Sequence, residues 1–161
     1  MPSALIFFKQ ETPYSCVAAC LKTALAYFGV EASEDELRLR SYTTHLGTSA
    51  CDAVACVRSY GLYAAEVRNG SLGLLQKWLK QPLLPILFID LQPIHGEFGR
   101  HAIVAEGISE TQLTYLDPLK GRRTSELGLV EQAWRLAIYR AILISNQPLA
   151  GEDARSGDDN V

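Results

Sequence analysis

The chain has 161 residues, a net charge of −3 and 48% hydrophobic residues. This length and hydrophobic content suit one globular domain with a sizeable core and exclude an intrinsically disordered chain. The small negative charge, without a basic stripe, argues against nucleic acid as a partner. We expect one domain over residues 1–147 and a mobile polar tail over residues 148–161, which contain several Gly and Asp residues.

The apolar segments of the chain are short. The longest, Pro82–Ile89, has the length of a strand and falls well below the roughly 20 residues that span a bilayer. The apolar segment Ala4–Phe8 near the N-terminus is too short for a signal-peptide core and lacks a cleavage site. We therefore expect no transmembrane segment and a cytoplasmic location.

The first half of the chain reads as a series of helices. Pro13 disfavours helix upstream, Ser15 suits an N-cap, and Gly29 closes the first predicted helix. Ser33 and Ser49 each stand three residues before an acidic residue, which is the pattern of a capped helix start. The predicted helices cover residues 17–28, 34–42, 50–60 and 72–80.

The second half reads mainly as strands, because apolar and β-branched residues fill short runs bounded by turn residues. The predicted strands cover residues 62–67, 85–91, 101–106, 113–116 and 137–145, with one helix at residues 129–136. A helix-rich front followed by antiparallel strands is typical of the α+β class. Trp78 and Trp134 are expected in the core.

One cysteine stands where a helix could activate it. Cys16 falls in the first turn of the predicted first helix, where unpaired amides and the helix dipole favour a thiolate. Such a nucleophile needs a base and an orienting group from elsewhere in the fold. Candidates are His101, which opens an apolar strand, and Asp117, sixteen residues later in a turn sequence. Gln10, six residues before Cys16, could donate a hydrogen bond to an oxyanion.

The other residues of these types have simpler interpretations. His45 and His95 are predicted loop residues without a strand context, and Asp90 precedes His101 and matches no motif. The remaining cysteines are expected to be small buried helix residues, because their spacing does not fit a zinc ribbon and no secretion signal favours disulfides. These are Cys20, Cys51 and Cys56. No metal or cofactor is expected.

Taken together, these motifs carry a family resemblance. The chain resembles the double-glycine-leader peptidases, the bacteriocin-processing domains at the front of peptide-exporting transporters, and their stand-alone relatives. The resemblance runs from about Phe8 to Ile144. It rests on Gln10-x5-Cys16, Tyr27-Phe28-Gly29, Gly99-x-His101-x-Ile103-Val104 and Asp117-Pro118-x-x-Gly121, with Leu46–Ser49 and Tyr60–Leu62 as further matches.

The resemblance implies a papain-like cysteine peptidase fold, with N-terminal helices packed on a mostly antiparallel sheet. It implies that Cys16 is the nucleophile, His101 the base, Asp117 the orienting residue and Gln10 the oxyanion donor. The substrate would be a peptide or protein, cleaved after a pair such as Gly-Gly in a leader peptide. A peptide exporter or another partner protein would act in trans.

The chain departs from the family pattern at two positions next to the nucleophile. Val17 follows Cys16 where the family usually has Gly, which bears on substrate access beside the thiol. Ser15 precedes Cys16 where the family usually has Asp.

Two other functions remain open at the level of sequence. A papain-like acyltransferase or transpeptidase would use the same residues, with an amine or thiol replacing water at deacylation. A catalytically silent module would bind a leader peptide without cleaving it, although such modules typically lose the cysteine. Product analysis with an added nucleophile tests the first, and thiol labelling across pH tests the second.

Overall fold

A computed structural model describes residues 4–150, and the part of the predicted tail at residues 151–161 lies outside them. The chain forms six helices and six strands over the described residues. The helices are α1 (Cys16–Tyr27), α2 (Glu34–Arg40), α3 (Ala50–Ser59), α4 (Leu72–Leu79), α5 (Gln92–His95) and α6 (Leu127–Leu136). The strands are β1 (Tyr63–Val67), β2 (Leu83–Asp90), β3 (Arg100–Ile108), β4 (Gln112–Asp117), β5 (Gly121–Glu126) and β6 (Ala141–Ser145).

All six strands form one antiparallel sheet in the order β1-β6-β2-β3-β4-β5. The α+β class and the antiparallel sheet are therefore confirmed. Two apolar clusters cover the sheet. The first joins α1, α2 and α3 to residues such as Ile86, Val104 and Ile142, and the second joins α4 and α6 to residues such as Leu87 and Ile103. Because neighbouring strand residues alternate between the two clusters, both faces of the central strands are buried.

The predicted helix starts are found with their capping contacts. The Ser33, Ser49 and Ser71 side chains accept hydrogen bonds from the backbone N–H groups three residues later. Gly29 follows α1 with a φ of 80°, a left-handed conformation that glycine adopts without a Cβ penalty. Ser15 is the exception, because it is the N-cap residue of α1 but its side chain makes no capping hydrogen bond.

The sequence-based prediction lacks two of these elements. α5 is a single turn over residues predicted as a loop, and β5 is a strand of exposed and half-buried residues, Gly121–Glu126, at the edge of the sheet. The last predicted strand, residues 137–145, is shorter in the structure, because residues 137–139 lie in a turn and β6 begins at Ala141. Leu149 is buried in the second apolar cluster, so the packed part of the chain includes it.

Among residues 4–150, none of the helices has the length and apolar character that a bilayer span requires. Across the same residues, no group of three His, Cys, Asp or Glu side chains is arranged to hold a metal ion.

Candidate active site

Cys16 is the first residue of α1, at the end of a helix whose first turn carries no acidic side chain. The first N–H groups of a helix have no acceptor within the helix, and their partial positive charge favours an anion there. Cys16 is half-buried and lines a cleft of about 540 Å³. The sequence therefore places an accessible thiol at a helix N-terminus, as predicted.

His101 comes to Cys16 from the sheet. It lies near the start of β3, is 4% exposed, and lines the same cleft. Its Nε2 lies 2.8 Å from Asp117 Oδ1, so the other ring nitrogen is not used in this contact. Burial lowers the pKa of His101, but the hydrogen bond with Asp117 and the influence of the Cys16 thiol outweigh it and raise the pKa to about 9. The imidazolium form is thus favoured at neutral pH.

Asp117 ends β4 and is fully buried. Burial would raise the pKa of this carboxyl, but the hydrogen bond and positive charge of His101, with the Leu119 N–H at 2.8 Å, hold the pKa below its usual value. A buried carboxylate that stays ionised can fix the ring of a histidine and stabilise its charge. The structure therefore brings three of the four predicted site residues together: Cys16, His101 and Asp117.

His95 has a place that the sequence-based prediction missed. The sequence places it in a loop without context, but it ends α5 and its Nε2 lies 3.4 Å from Asp117 Oδ2. The Asp117 carboxylate is therefore flanked by two imidazoles, one on each oxygen. His95 is not among the residues that line the cleft, and its hydrogen-bonding contact is with the carboxylate.

Gln10 does not line the cleft that contains the Cys16 thiol. Its side chain is buried, and the residue is 7% exposed. Its backbone N–H donates to Pro118 O at 2.9 Å, and its side-chain Nε2 donates to Thr12 O at 2.8 Å. Gln10 is therefore hydrogen-bonded both to the turn after Asp117 and to the loop before Cys16. One N–H of its side-chain amide remains for another acceptor.

Among residues 4–150, the other acidic, histidine and cysteine residues considered from the sequence show no side-chain hydrogen bond with the triad candidates. Asp90 accepts the Gln92 N–H at 2.9 Å at the start of α5, and His45 is exposed. Cys20 and Cys56 are buried as predicted, and burial raises the pKa of both thiols, which leaves them unreactive. The prediction for Cys51 is wrong, because this residue is exposed and lines the cleft.

The cleft itself extends beyond the thiol. Val17, which stands next to Cys16, is 3% exposed but contributes to the cleft wall. The segment between α2 and α3 forms one side, with Tyr42 and Leu46 highly exposed. The first residues of α3 line it as well. Besides His101, the strands and the residues next to them contribute Glu66, Arg68, Phe88, Arg100 and Arg140. The cleft wall therefore combines apolar side chains with side chains of both charges.

The raised pKa of His101 predicts a pH dependence of stability. The folded state holds a proton that the unfolded chain releases near pH 6.5, so the contribution is complete below pH 6.5 and is lost as pH rises through about 9. We expect the free-energy difference of unfolding between wild type and His101→Ala to shrink from about pH 6 to about pH 10. Urea unfolding at several pH values measures it.

The exposed His45→Ala variant is the control for this measurement, and it should differ little from wild type at any pH in the series. A His101→Ala difference that stays constant across the same pH series would show that the folded protein does not favour the imidazolium.

Comparison with known proteins gives concordant results. Structural similarity is found to a double glycine motif protease from an AMS/PCAT transporter, crystallised with its leader peptide, with a TM-score of 0.72, 19% identity, and coverage of 91% of this chain and 94% of that one. The peptidase domain of Streptococcus ComA, a bifunctional ABC transporter of a quorum-sensing pathway, matches with a TM-score of 0.75, 20% identity, and coverage of 89% and 100%. At these identities the matches establish the papain-like fold of these peptidase domains.

Sequence comparison adds a relative and a family. An uncharacterized protein of Methanothermobacter marburgensis is 28% identical over 122 residues, which cover 73% of this chain and 74% of that protein. The family model described as "Peptidase C39 family" matches residues 5–144, nearly all of the described chain. This protein therefore belongs to the C39 peptidase family.

Proposed function

We propose that this protein is a cysteine peptidase in which Cys16, His101 and Asp117 form the catalytic triad and Gln10 is an oxyanion donor. The observation that carries the proposal is the 2.8 Å contact between His101 and the buried Asp117, beside a half-buried thiol at a helix N-terminus. These residues have the relations that a thiol nucleophile, its base and an orienting carboxylate require.

The reaction proceeds in two steps through a thioester. The Cys16 thiolate attacks the carbonyl carbon of the scissile peptide bond, and the oxyanion is held by Gln10 and a backbone N–H at the start of α1. The His101 imidazolium gives its proton to the leaving amine, and the C–N bond breaks. Neutral His101 then takes a proton from water, the resulting hydroxide attacks the thioester carbonyl, and the C–S bond breaks to release the acid and regenerate the Cys16 thiolate beside the His101 imidazolium.

Two similar proteins support a proposal for the substrate class. One of them is a double glycine motif protease with a bound leader peptide, and the other is a peptidase domain of a transporter. We propose that this chain cleaves after a Gly-Gly pair in a leader peptide, with a peptide exporter or another partner protein acting in trans. The Val17 side chain in the cleft wall beside Cys16 favours small residues at the cleavage position.

A direct test is cleavage of a synthetic leader peptide with a Gly-Gly pair, with product masses recorded by mass spectrometry. The matched control replaces the pair by Leu-Leu. We expect a cut after the second glycine in the first peptide only, and a thioester adduct on Cys16 when the reaction is quenched early. Cleavage of both peptides at equal rates would contradict the Gly-Gly specificity, and no cleavage of any peptide would contradict the peptidase.

An added amine distinguishes hydrolysis from acyl transfer. With hydroxylamine present, a peptidase yields mainly the free acid at low amine concentration, whereas an acyltransferase yields the hydroxamate from the start. The hydroxamate as the main product throughout would replace the proposed peptidase by an acyltransferase that uses the same residues.

The Gln10→Ala variant tests the oxyanion donor. We expect turnover to fall about 10²–10³-fold, the effect of removing one such donor, with the rate of Cys16 alkylation by iodoacetamide almost unchanged. Alkylation needs the thiolate but develops no oxyanion. If Gln10 only anchors the backbone, the variant will unfold more easily and retain its turnover per folded molecule.

A further inference from the structure

Glu34 is a buried carboxylate that the proposed chemistry does not use. It is the first residue of α2, and its side chain is 2% exposed, whereas the side chains of its neighbours Asp35 and Glu36 are 81% and 41% exposed. Burying a charged group is unfavourable unless partners compensate it. Burial raises the pKa of the Glu34 carboxyl, and the Glu11 N–H opposes this effect.

The partners of this carboxylate lie on the loop between Gln10 and Cys16. Glu34 Oε1 accepts the Glu11 N–H at 3.0 Å and lies 3.3 Å from the Ser15 hydroxyl. The other oxygen, Oε2, lies 3.2 Å from Arg38 Nε. One oxygen therefore contacts α2 itself, and the other contacts both ends of the loop that carries the proposed oxyanion donor and nucleophile.

The contacts continue from Ser15 to Gln10. The Ser15 hydroxyl accepts the Thr12 N–H at 3.0 Å and lies 3.2 Å from Thr12 O. The same Thr12 carbonyl accepts the side-chain Nε2 of Gln10 at 2.8 Å. A chain of hydrogen bonds thus leads from Glu34 through Ser15 and Thr12 to the amide of Gln10. It also explains why the Ser15 side chain does not cap α1.

We propose that Glu34 is a positioning residue that fixes the orientation of the Gln10 amide through Ser15 and Thr12. This inference rests on the role given to Gln10 under the proposed function. A simpler role for Glu34 is that of an acidic residue in the first turn of α2, where it would stabilise the helix. That role needs no burial and no contact with Glu11 or Ser15, and Asp35 and Glu36 already supply acidic groups there.

The test compares Glu34→Ala with Glu36→Ala, an exposed acidic residue of the same helix. We expect Glu34→Ala to lower kcat on the Gly-Gly peptide about 10-fold, the range of one or two lost hydrogen bonds, and to leave Cys16 alkylation within about 2-fold of wild type. Glu36→Ala should leave both rates unchanged. Glu34→Gln retains an acceptor for the Glu11 N–H, and it should restore most of the lost kcat.

A double-mutant cycle separates positioning from a general structural effect. In the Gln10→Ala background, Glu34→Ala should cause less than about a 2-fold further loss of kcat, because the group that it orients is already absent. If the fold-losses of kcat in the two single variants multiply fully in the double variant, the proposal is overturned. If Glu34→Ala does not fold, Ser15→Ala breaks the same chain one step later and should give the same result in the cycle.

A measurement without a substrate keeps the inference independent of the proposed peptidase activity. The side-chain NH₂ protons of Gln10, assigned by NMR from their loss in Gln10→Ala, should exchange with solvent at least about 10-fold faster in Glu34→Ala than in wild type or Glu36→Ala. Unchanged exchange would overturn the positioning role even if the enzyme is active. Faster exchange in Glu34→Ala would support that role even if the wild-type protein cleaves no peptide and the proposed function fails.

Discussion

Replacing Cys16 by alanine is expected to reduce peptide cleavage to background, a loss on the order of 10⁶-fold in turnover, while the fold stays intact. The sulfur atom is the only group of this residue that can form the thioester. Alanine is small and is the best helix former, so the first turn of α1 should persist. Product masses measure turnover, and circular dichroism with urea unfolding measures the fold.

The Cys51→Ala variant is a matched control, because Cys51 is an exposed thiol of the same cleft but lies on α3. It should retain turnover within a few-fold of wild type. If Cys16→Ala kept near-wild-type turnover on any substrate that the native protein cleaves, the assignment of the nucleophile would be wrong.

His101→Ala is expected to lose turnover on the order of 10⁶-fold, and Asp117→Asn less, on the order of 10⁴-fold. In Asp117→Asn, the oxygen of the new side-chain amide could still accept the hydrogen bonds from His101 and the Leu119 N–H. In His101→Ala, the side chain proposed as the base is removed altogether. The His95 ring contacts Asp117 on the oxygen that His101 does not use, so it is expected to replace His101 poorly.

Both variants must be compared as folded proteins, because His101 and Asp117 are buried. Unfolding midpoints and initial rates should be recorded on the same preparations. Equal and complete losses of turnover in two folded variants would contradict the separate roles of base and orienting group.

Much of the fold follows from local patterns in the sequence. Serine caps and Gly29 delimit α1 to α4 to within about two residues, and apolar runs mark the buried strands. The edge strand β5 escapes prediction because Gly121–Glu126 is polar and lies at the edge, so it carries no apolar signal. A single turn such as α5 is too short to produce a helical period.

The exposure of Cys51 could have been found from the sequence. Ala50, Ala53, Val54 and Val57 follow the i, i+3, i+4, i+7 spacing of one buried helix face, and all four are buried. Cys51 lies one residue off that face and lines the cleft. The helical period therefore predicts its exposure better than the general tendency of cysteines to be buried.

Local sequence patterns predict few of the contacts around the candidate site. The family resemblance predicts that His101 lies close to Asp117, but the contacts of His95 and Glu34 depend on tertiary structure. They join residues 22 and 19 positions apart, on elements whose relative placement no local pattern specifies. A buried acidic residue at a helix start looks the same in sequence as an exposed one.

The long chain separations in the N-terminal segment have a consequence for folding. The Gln10 N–H donates a hydrogen bond to Pro118 O, and the Arg122 guanidinium donates one to Leu5 O across 117 residues. The segment before α1 therefore packs against strands that are synthesised much later. Contacts of such separation form slowly, because the loop entropy must be overcome first. During synthesis the thiol of Cys16 therefore leaves the ribosome long before His101 and Asp117 can reach it. If Cys16, His101 and Asp117 form the proposed catalytic triad, a nascent chain cannot cleave a peptide until strands β3 and β4 have supplied His101 and Asp117.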